Sequence, residues 1–154
     1  MMTTEIINTK ICLCPIELDD IRHNIITKLR NNKECTELYG YPMRFVDLIS
    51  YKNNHITPQG NCIFRVSYTV VCLKPIVGQT YSCVVTEIYP QGIFAAFSKL
   101  KILVPATSME EYMYDDESFV KDDSFIRRDS LVDIELTEIE YTDHEYQCIG
   151  ILKK

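Results

Sequence analysis

Between residues 62 and 72 the apolar and aromatic side chains fall on every second position: Cys62, Phe64, Val66, Tyr68, Val70 and Cys72. A two-residue period is met by an extended strand with one face buried. The best partner for such a strand lies upstream. Leu18, Ile21, Ile25 and Leu29 recur at helical spacing and form one apolar stripe. Asp19 and Asp20 stand near its start, and Lys28, Arg30 and Lys33 near its end, as the helix dipole favours. Thr4 to Leu13 reads as a first strand halted by Pro15, and Met43 to Tyr51 as a second. Asn53-Asn54-His55 and Thr57-Pro58-Gln59-Gly60 read as turns leading into the alternating strand. Lys74-Pro75-Ile76-Val77-Gly78 then breaks the pattern, which predicts a helix-plus-antiparallel-sheet domain over residues 1–77.

After Gly78 the pattern is all β. Strands are expected at Tyr81 to Tyr89, Ile93 to Phe97, Leu100 to Val104, Leu131 to Tyr141 and Tyr146 to Leu152. Pro90-Gln91-Gly92 and Thr142-Asp143-His144 provide turns. Between the third and fourth strands lies one long polar connection. A short helix is expected there near Met109 to Met113, followed by an acidic loop holding Asp115-Asp116-Glu117 and Asp122-Asp123. Five short strands with a single long connection match a five-stranded OB-fold β-barrel over residues 78–154. The fold class is therefore α+β.

Composition limits the function. With 46% hydrophobic and 25% charged residues among 154, the chain can fold as one medium or two small domains. No apolar run is long enough to span a bilayer, and Met1 to Glu5 lacks the start of a signal peptide, so no membrane partner is expected. Seven cysteines, an odd number, mostly sit inside apolar runs, where a thiol is a small hydrophobe. Cys12-x-Cys14 has no second pair to complete a zinc site, so neither metal nor cofactor is expected. His23, His55 and His144 have no nearby Ser or Cys in a recognisable nucleophile setting, and Asp143-His144-Glu145 reads as a solvated hairpin connection rather than a metal or acid–base cluster. Five glycines leave little room for a phosphate-cradling loop, and an enzyme is not expected.

The net charge of −6 is unusual for a free nucleic-acid binder, whose affinity comes largely from phosphate contacts. Yet Gly92-Ile93-Phe94-Ala95-Ala96-Phe97 places two aromatics on the second barrel strand, with Lys99 and Lys101 close by. Phe94 shares a face with Ala96, which suits an open stacking platform; Ile93, Ala95 and Phe97 suit a core. The alternative is that both phenylalanines are core.

Val84 to Ile88, Gly92 to Phe94 and the closing Cys148-Ile149-Gly150-Ile151-Leu152 resemble the RNA-binding OB domain named after ribosomal protein S-one. The whole chain resembles the stalk subunits of DNA-directed RNA polymerase, of the seventh-subunit type in polymerase II, and their archaeal counterparts. The resemblance runs in order through Leu13-Cys14-Pro15, Leu38-Tyr39-Gly40, Thr57-Pro58-Gln59-Gly60, Val66-Ser67-Tyr68, Lys74-Pro75-x-x-Gly78 and Asp129-Ser130-Leu131. It departs in a short glycine-rich loop, and in Pro105, which stands where many S-one-type domains carry a base-contacting residue.

That resemblance implies a non-catalytic subunit that docks on polymerase core subunits through Ile56, Thr57, Pro58, Gln59 and Gly60. It also implies a smaller stalk partner of the fourth-subunit type. Nascent single-stranded RNA would be held by Phe94, Lys99, Lys101, Arg127 and Arg128. The rivals are a free single-stranded-RNA-binding module of translation or RNA decay, and a structural subunit whose OB face binds protein. The richness in Ile, Asn, Lys and Tyr is what an AT-rich genome produces, as in a large DNA virus or a reduced eukaryote. The expected location is the nucleus if the protein is cellular, and a cytoplasmic factory or virion if it is viral.

Overall fold

The computed structural model describes residues 2–153; residues 1 and 154, where the two expected domains begin and end, lie outside them. Among the described residues the chain is mostly strand, with one α-helix and several sheets, an α+β protein. It divides into two compact units that meet in sequence between Lys74 and Pro75.

In the first unit, strand β1 (Met2–Leu13) and strand β2 (Tyr41–Ile56) flank strand β3 (Cys62–Leu73), and both pairs are antiparallel. The even-numbered residues of β3 from Cys62 to Cys72 are buried, so the two-residue period points at the core as the sequence indicates. A 3₁₀ turn (Pro15–Asp20) leads into helix α1 (Ile21–Arg30). The helix starts where the Asp20 carboxylate accepts from the His23 backbone N–H at 3.2 Å, satisfying one orphan donor of the first turn. Its buried residues, Ile25 and Leu29, join Leu13, Leu48 and the buried side of β3 in one core. Full burial of each such side chain contributes about 1.5–3 kcal/mol. Leu18 lies in the 3₁₀ turn, and the α-helix ends before Lys33. Glu17 accepts from the Cys14 backbone N–H at 3.0 Å and pairs with Lys28 at 3.2 Å, which together bring its carboxyl down to about 2.

The second unit holds a closed barrel. Its strands are β4 (Thr80–Tyr89), β5 (Gly92–Phe97), β6 (Leu100–Pro105), β10 (Leu131–Thr142) and β11 (Glu145–Leu152). Around the barrel the order is β4, β5, β6, β11, β10 and back to β4; only the β11–β6 pair is parallel. Tyr81, Cys83, Val85, Ile93, Ala95, Ile102, Val104, Ile134, Leu136 and Cys148 fill its interior. Asp143 and His144 both take positive φ, 55° and 60°, the geometry of the tight turn that joins β10 to β11.

Three expectations need correction. Asn53-Asn54-His55 is not a turn: β2 runs through it, pairing Asn53 with Phe64 and His55 with Ile63. A β-bulge between Asn53 and His55 absorbs the extra residue, so ladder hydrogen bonds override the turn preference of asparagine. The reversal comes at Thr57, whose N–H donates to Asn61 at 2.8 Å. The short helix near Met109 is a 3₁₀ turn over Ala106–Ser108, and Met113 already lies in a strand. Finally, the acidic stretch is not all loop. It holds a small antiparallel sheet of β7 (Met113–Tyr114), β8 (Phe119–Lys121) and β9 (Ser124–Ile126), in which buried Phe119 pairs with buried Ile126. Strands of two or three residues are too short for a period to appear.

All seven cysteines are free, five of them buried, with Cys12 exposed and Cys14 half-buried. Burial pushes the Cys83 and Cys148 thiols up to about 11. Iodoacetamide applied to the native protein should therefore modify Cys12 first and spare the buried five until denaturant is added, as peptide mass mapping would report. Ile25→Ala should cost about 2–5 kcal/mol in denaturant unfolding. Ile6→Ala, on the exposed side of β1, should change stability by less than about 0.5 kcal/mol.

Candidate nucleic-acid interface

The outer side of β4 and β5 carries an aromatic pair between two cations. On β5, buried Ile93 and Ala95 alternate with half-buried Phe94 and Ala96. Phe94 lies opposite Glu87 on β4 and Leu103 on β6, and Lys101 lies opposite Ala96. Lys101 is exposed, and its Nζ stands 5.0 Å from the centre of the Phe94 ring, within cation–π range. Tyr89 meets Phe94 edge to face at 6.1 Å between ring centres and is 46% exposed. Phe97 turns away to pack on Tyr81 at 5.1 Å. The two phenylalanines therefore differ in role, and Phe94 is the one on the outer side.

Tyr89 reaches this place because its partner across the hairpin is Gly92. Gly92 has φ +153° and no side chain; a Cβ there would collide with the Val104 carbonyl and lie 3.1 Å from Pro105 Cα. With nothing opposite, the tyrosine ring leans diagonally onto Phe94, a contact within reach of aromatic side chains. The Tyr89 hydroxyl donates to Glu87 at 3.2 Å, and the nearby carboxylate raises its pKa, so the ring stays neutral.

The turn after β9 closes on the same strand. Asp129 N–H donates to Val85 at 2.8 Å, and Val85 N–H donates to Ser130 at 2.9 Å. Arg128 Nε donates to the Thr86 carbonyl at 3.2 Å, and Thr86 Oγ1 donates to the Phe94 carbonyl at 3.2 Å. Arg128, Tyr89 and Glu87 share a shallow hollow of about 230 Å³. Arg128, Tyr89, Phe94 and Lys101 thus follow one another across the barrel wall.

The other expected contacts are placed differently. Arg127 lies over exposed Phe125, its guanidinium carbon 3.9 Å from the ring centre. Lys99 sits in the Ser98–Lys99 turn at the far end of the β5–β6 hairpin. Phe94 is four residue steps from the start of that turn, about 13 Å of strand. Sequence reasoning missed Tyr89, although its place directly before Pro90-Gln91-Gly92 marks the hairpin end where a glycine partner leaves room. Phe94 and Lys101 also line a groove of about 940 Å³ that continues over Leu103 and Ile149 and is bordered by Glu138, Glu140 and Glu145.

In the first unit, Ile56 ends β2 and is 65% exposed. Thr57 is half-buried, its Oγ1 accepting from Asn61 N–H at 3.1 Å. Pro58, Gln59 and Gly60 are exposed, and Gly60 N–H donates to Thr57 at 2.9 Å. The five expected docking residues therefore form one hydrogen-bonded hairpin tip. Among the described residues no group of three or more histidine, cysteine or acidic side chains could hold a metal ion.

No protein-family model and no curated protein matches this chain.

Gly92→Ala should destabilise the barrel by more than about 1 kcal/mol in denaturant unfolding, since both its φ and the Val104 backbone exclude a Cβ.

Proposed function

We propose that this chain is a non-catalytic stalk subunit of a multisubunit DNA-dependent RNA polymerase, whose barrel guides nascent RNA. The observation that carries the RNA part is the solvent-facing Tyr89–Phe94 pair with Lys101 over it. Aromatic rings stack on unpaired bases of any sequence, and a neighbouring cation meets the phosphate. In this reading the barrel is an OB-fold. Numbered in chain order, its strands close as first, second, third, fifth, fourth, the arrangement of a five-stranded Greek-key barrel. Its ligand surface lies on the first three strands, where Tyr89, Phe94 and Lys101 stand.

The polymerase part rests on the collinear resemblance and on the exposed tip at Ile56 and Pro58 to Gly60. That tip would meet core subunits, and a smaller stalk partner would complete the stalk. The negative net charge is in keeping with this role. A transcript delivered by the enzyme does not have to be attracted from solution.

The acidic border of the groove favours a second reading, in which the same barrel face takes a protein. Glu138, Glu140 and Glu145 repel phosphate and would instead attract a basic segment.

Tagging the chain and analysing co-purified proteins by mass spectrometry should recover polymerase core subunits; their absence would sink the proposal. Phe94→Ala should weaken RNA binding by about 1–3 kcal/mol per stacked base, read as reduced crosslinking, with little loss of thermal stability. Unchanged crosslinking in a Phe94→Ala, Lys101→Ala double variant that no longer assembles would favour the protein-binding reading. Tight binding of free RNA by the isolated chain at physiological salt would favour the free RNA-binding module.

A further inference from the structure

The side of the first sheet that faces away from helix α1 carries a row of like charges. Register places Lys10 of β1 opposite Arg65 of β3, and Arg65 opposite Lys52 of β2. All three are exposed. No side-chain hydrogen bond or ion pair joins any of them to another described residue. Like charges directly opposite one another in a sheet are destabilising. Three in one row, in a chain of net charge −6, are not explained by the fold.

The neighbouring rows sharpen the chemistry. On one side stand Asn8, Ser67 and Ser50, and with the cations they line a shallow hollow of about 410 Å³. On the other side stand Cys12, Ile63 and His55. The carboxylate on this side in the next rows is Asp47, paired with Thr69 two rows from Lys52. That is about 14 Å along the strand, beyond a Debye length of about 8 Å at physiological salt. No aromatic belongs to these rows; Tyr51 turns to the buried side and meets Phe64 at 6.3 Å.

We infer that Lys10, Arg65 and Lys52 form a contact for the phosphate backbone of single-stranded nucleic acid that does not read its bases. Neighbouring strands stand about 4.8 Å apart, so the row spans about 10 Å and can meet adjacent phosphates of an extended strand. Lysine, arginine, serine and asparagine are the side chains that contact phosphate and sugar. A protein-docking surface would present an apolar, aromatic-rich centre depleted in lysine, which these rows lack. This surface lies in the first unit and is distinct from the aromatic pair of the barrel.

The test is fluorescence anisotropy of labelled oligo-U and oligo-A RNA with the full chain over a range of salt. A K10Q/K52Q/R65Q variant should lower the slope of log affinity against log salt by about two, equally for both RNAs. The K10Q/K52Q variant, which keeps Arg65, should lower it by about 1.4. Melting temperature should stay level or rise, because repulsion is relieved. Phe94→Ala should lower affinity and leave the slope intact. An unchanged slope in the triple variant overturns the inference and leaves the barrel proposal standing. A lost slope in the triple variant, with full affinity in Phe94→Ala, does the reverse. A labelled poly-glutamate of equal charge that binds as tightly as RNA, and is lost in the triple variant, also overturns it in favour of an acidic protein partner.

Discussion

The barrel closes through a short parallel ladder, in which Gln147, Cys148 and Ile149 pair with Lys101, Ile102 and Leu103. The same residues of β6 that complete the barrel also carry its outer surface: Ile102 points into the core, while Lys101 and Leu103 face outward beside Phe94. Closure needs β11 to lie very near β10, and Gly150 makes that possible. A Cβ there would press on Ile134 and stand 2.7 Å from the Glu135 carbonyl. The bulge between Leu136 and Glu138 bends β10 around this point. If the ladder opened, the lysine would lose its position over the ring, and the groove they both line would lose Ile149 as a wall. The platform is thus a consequence of closure, not an addition to it.

Charge is distributed locally in a chain that is acidic overall. In the barrel, Lys101 and Arg128 border two aromatic rings, while carboxylates collect along the groove. In the first unit, three cations share one row of the sheet. Net charge governs long-range attraction, but contact with a phosphate is decided over a few ångströms. An acidic protein can therefore hold nucleic acid at chosen points while attracting little of it from solution. That combination suits a subunit working within a larger assembly.

How much of this was legible in the sequence depends on the range of the interaction responsible. Strand β3 and helix α1 declare themselves because one buried side imposes a period on ten or more residues. The five barrel strands, six to twelve residues long, alternate over shorter spans, and their turns are marked by Pro90-Gln91 and Asp143-His144. Asn53 to His55 misled because local turn preference lost to a partner strand that only register reveals. The small sheet of β7 to β9 escaped because strands of two or three residues are too short to show a period. Phe94 and Lys101 were visible as an alternating aromatic and a nearby cation. Tyr89 was not, since its role comes from the missing side chain at Gly92. The row of Lys10, Arg65 and Lys52 is scattered over fifty-five residues and exists only once three strands are aligned.

The central claim is that the barrel of this chain holds RNA as a polymerase makes it. The most direct measurement incorporates 4-thiouridine into nascent RNA in elongation complexes purified through the tagged chain, crosslinks them, and maps the adducts by mass spectrometry. Adducts on the peptide that carries Phe94 and Lys101, and on the one carrying Tyr89, are the predicted result. Complexes that elongate normally but leave this chain free of adducts would contradict it.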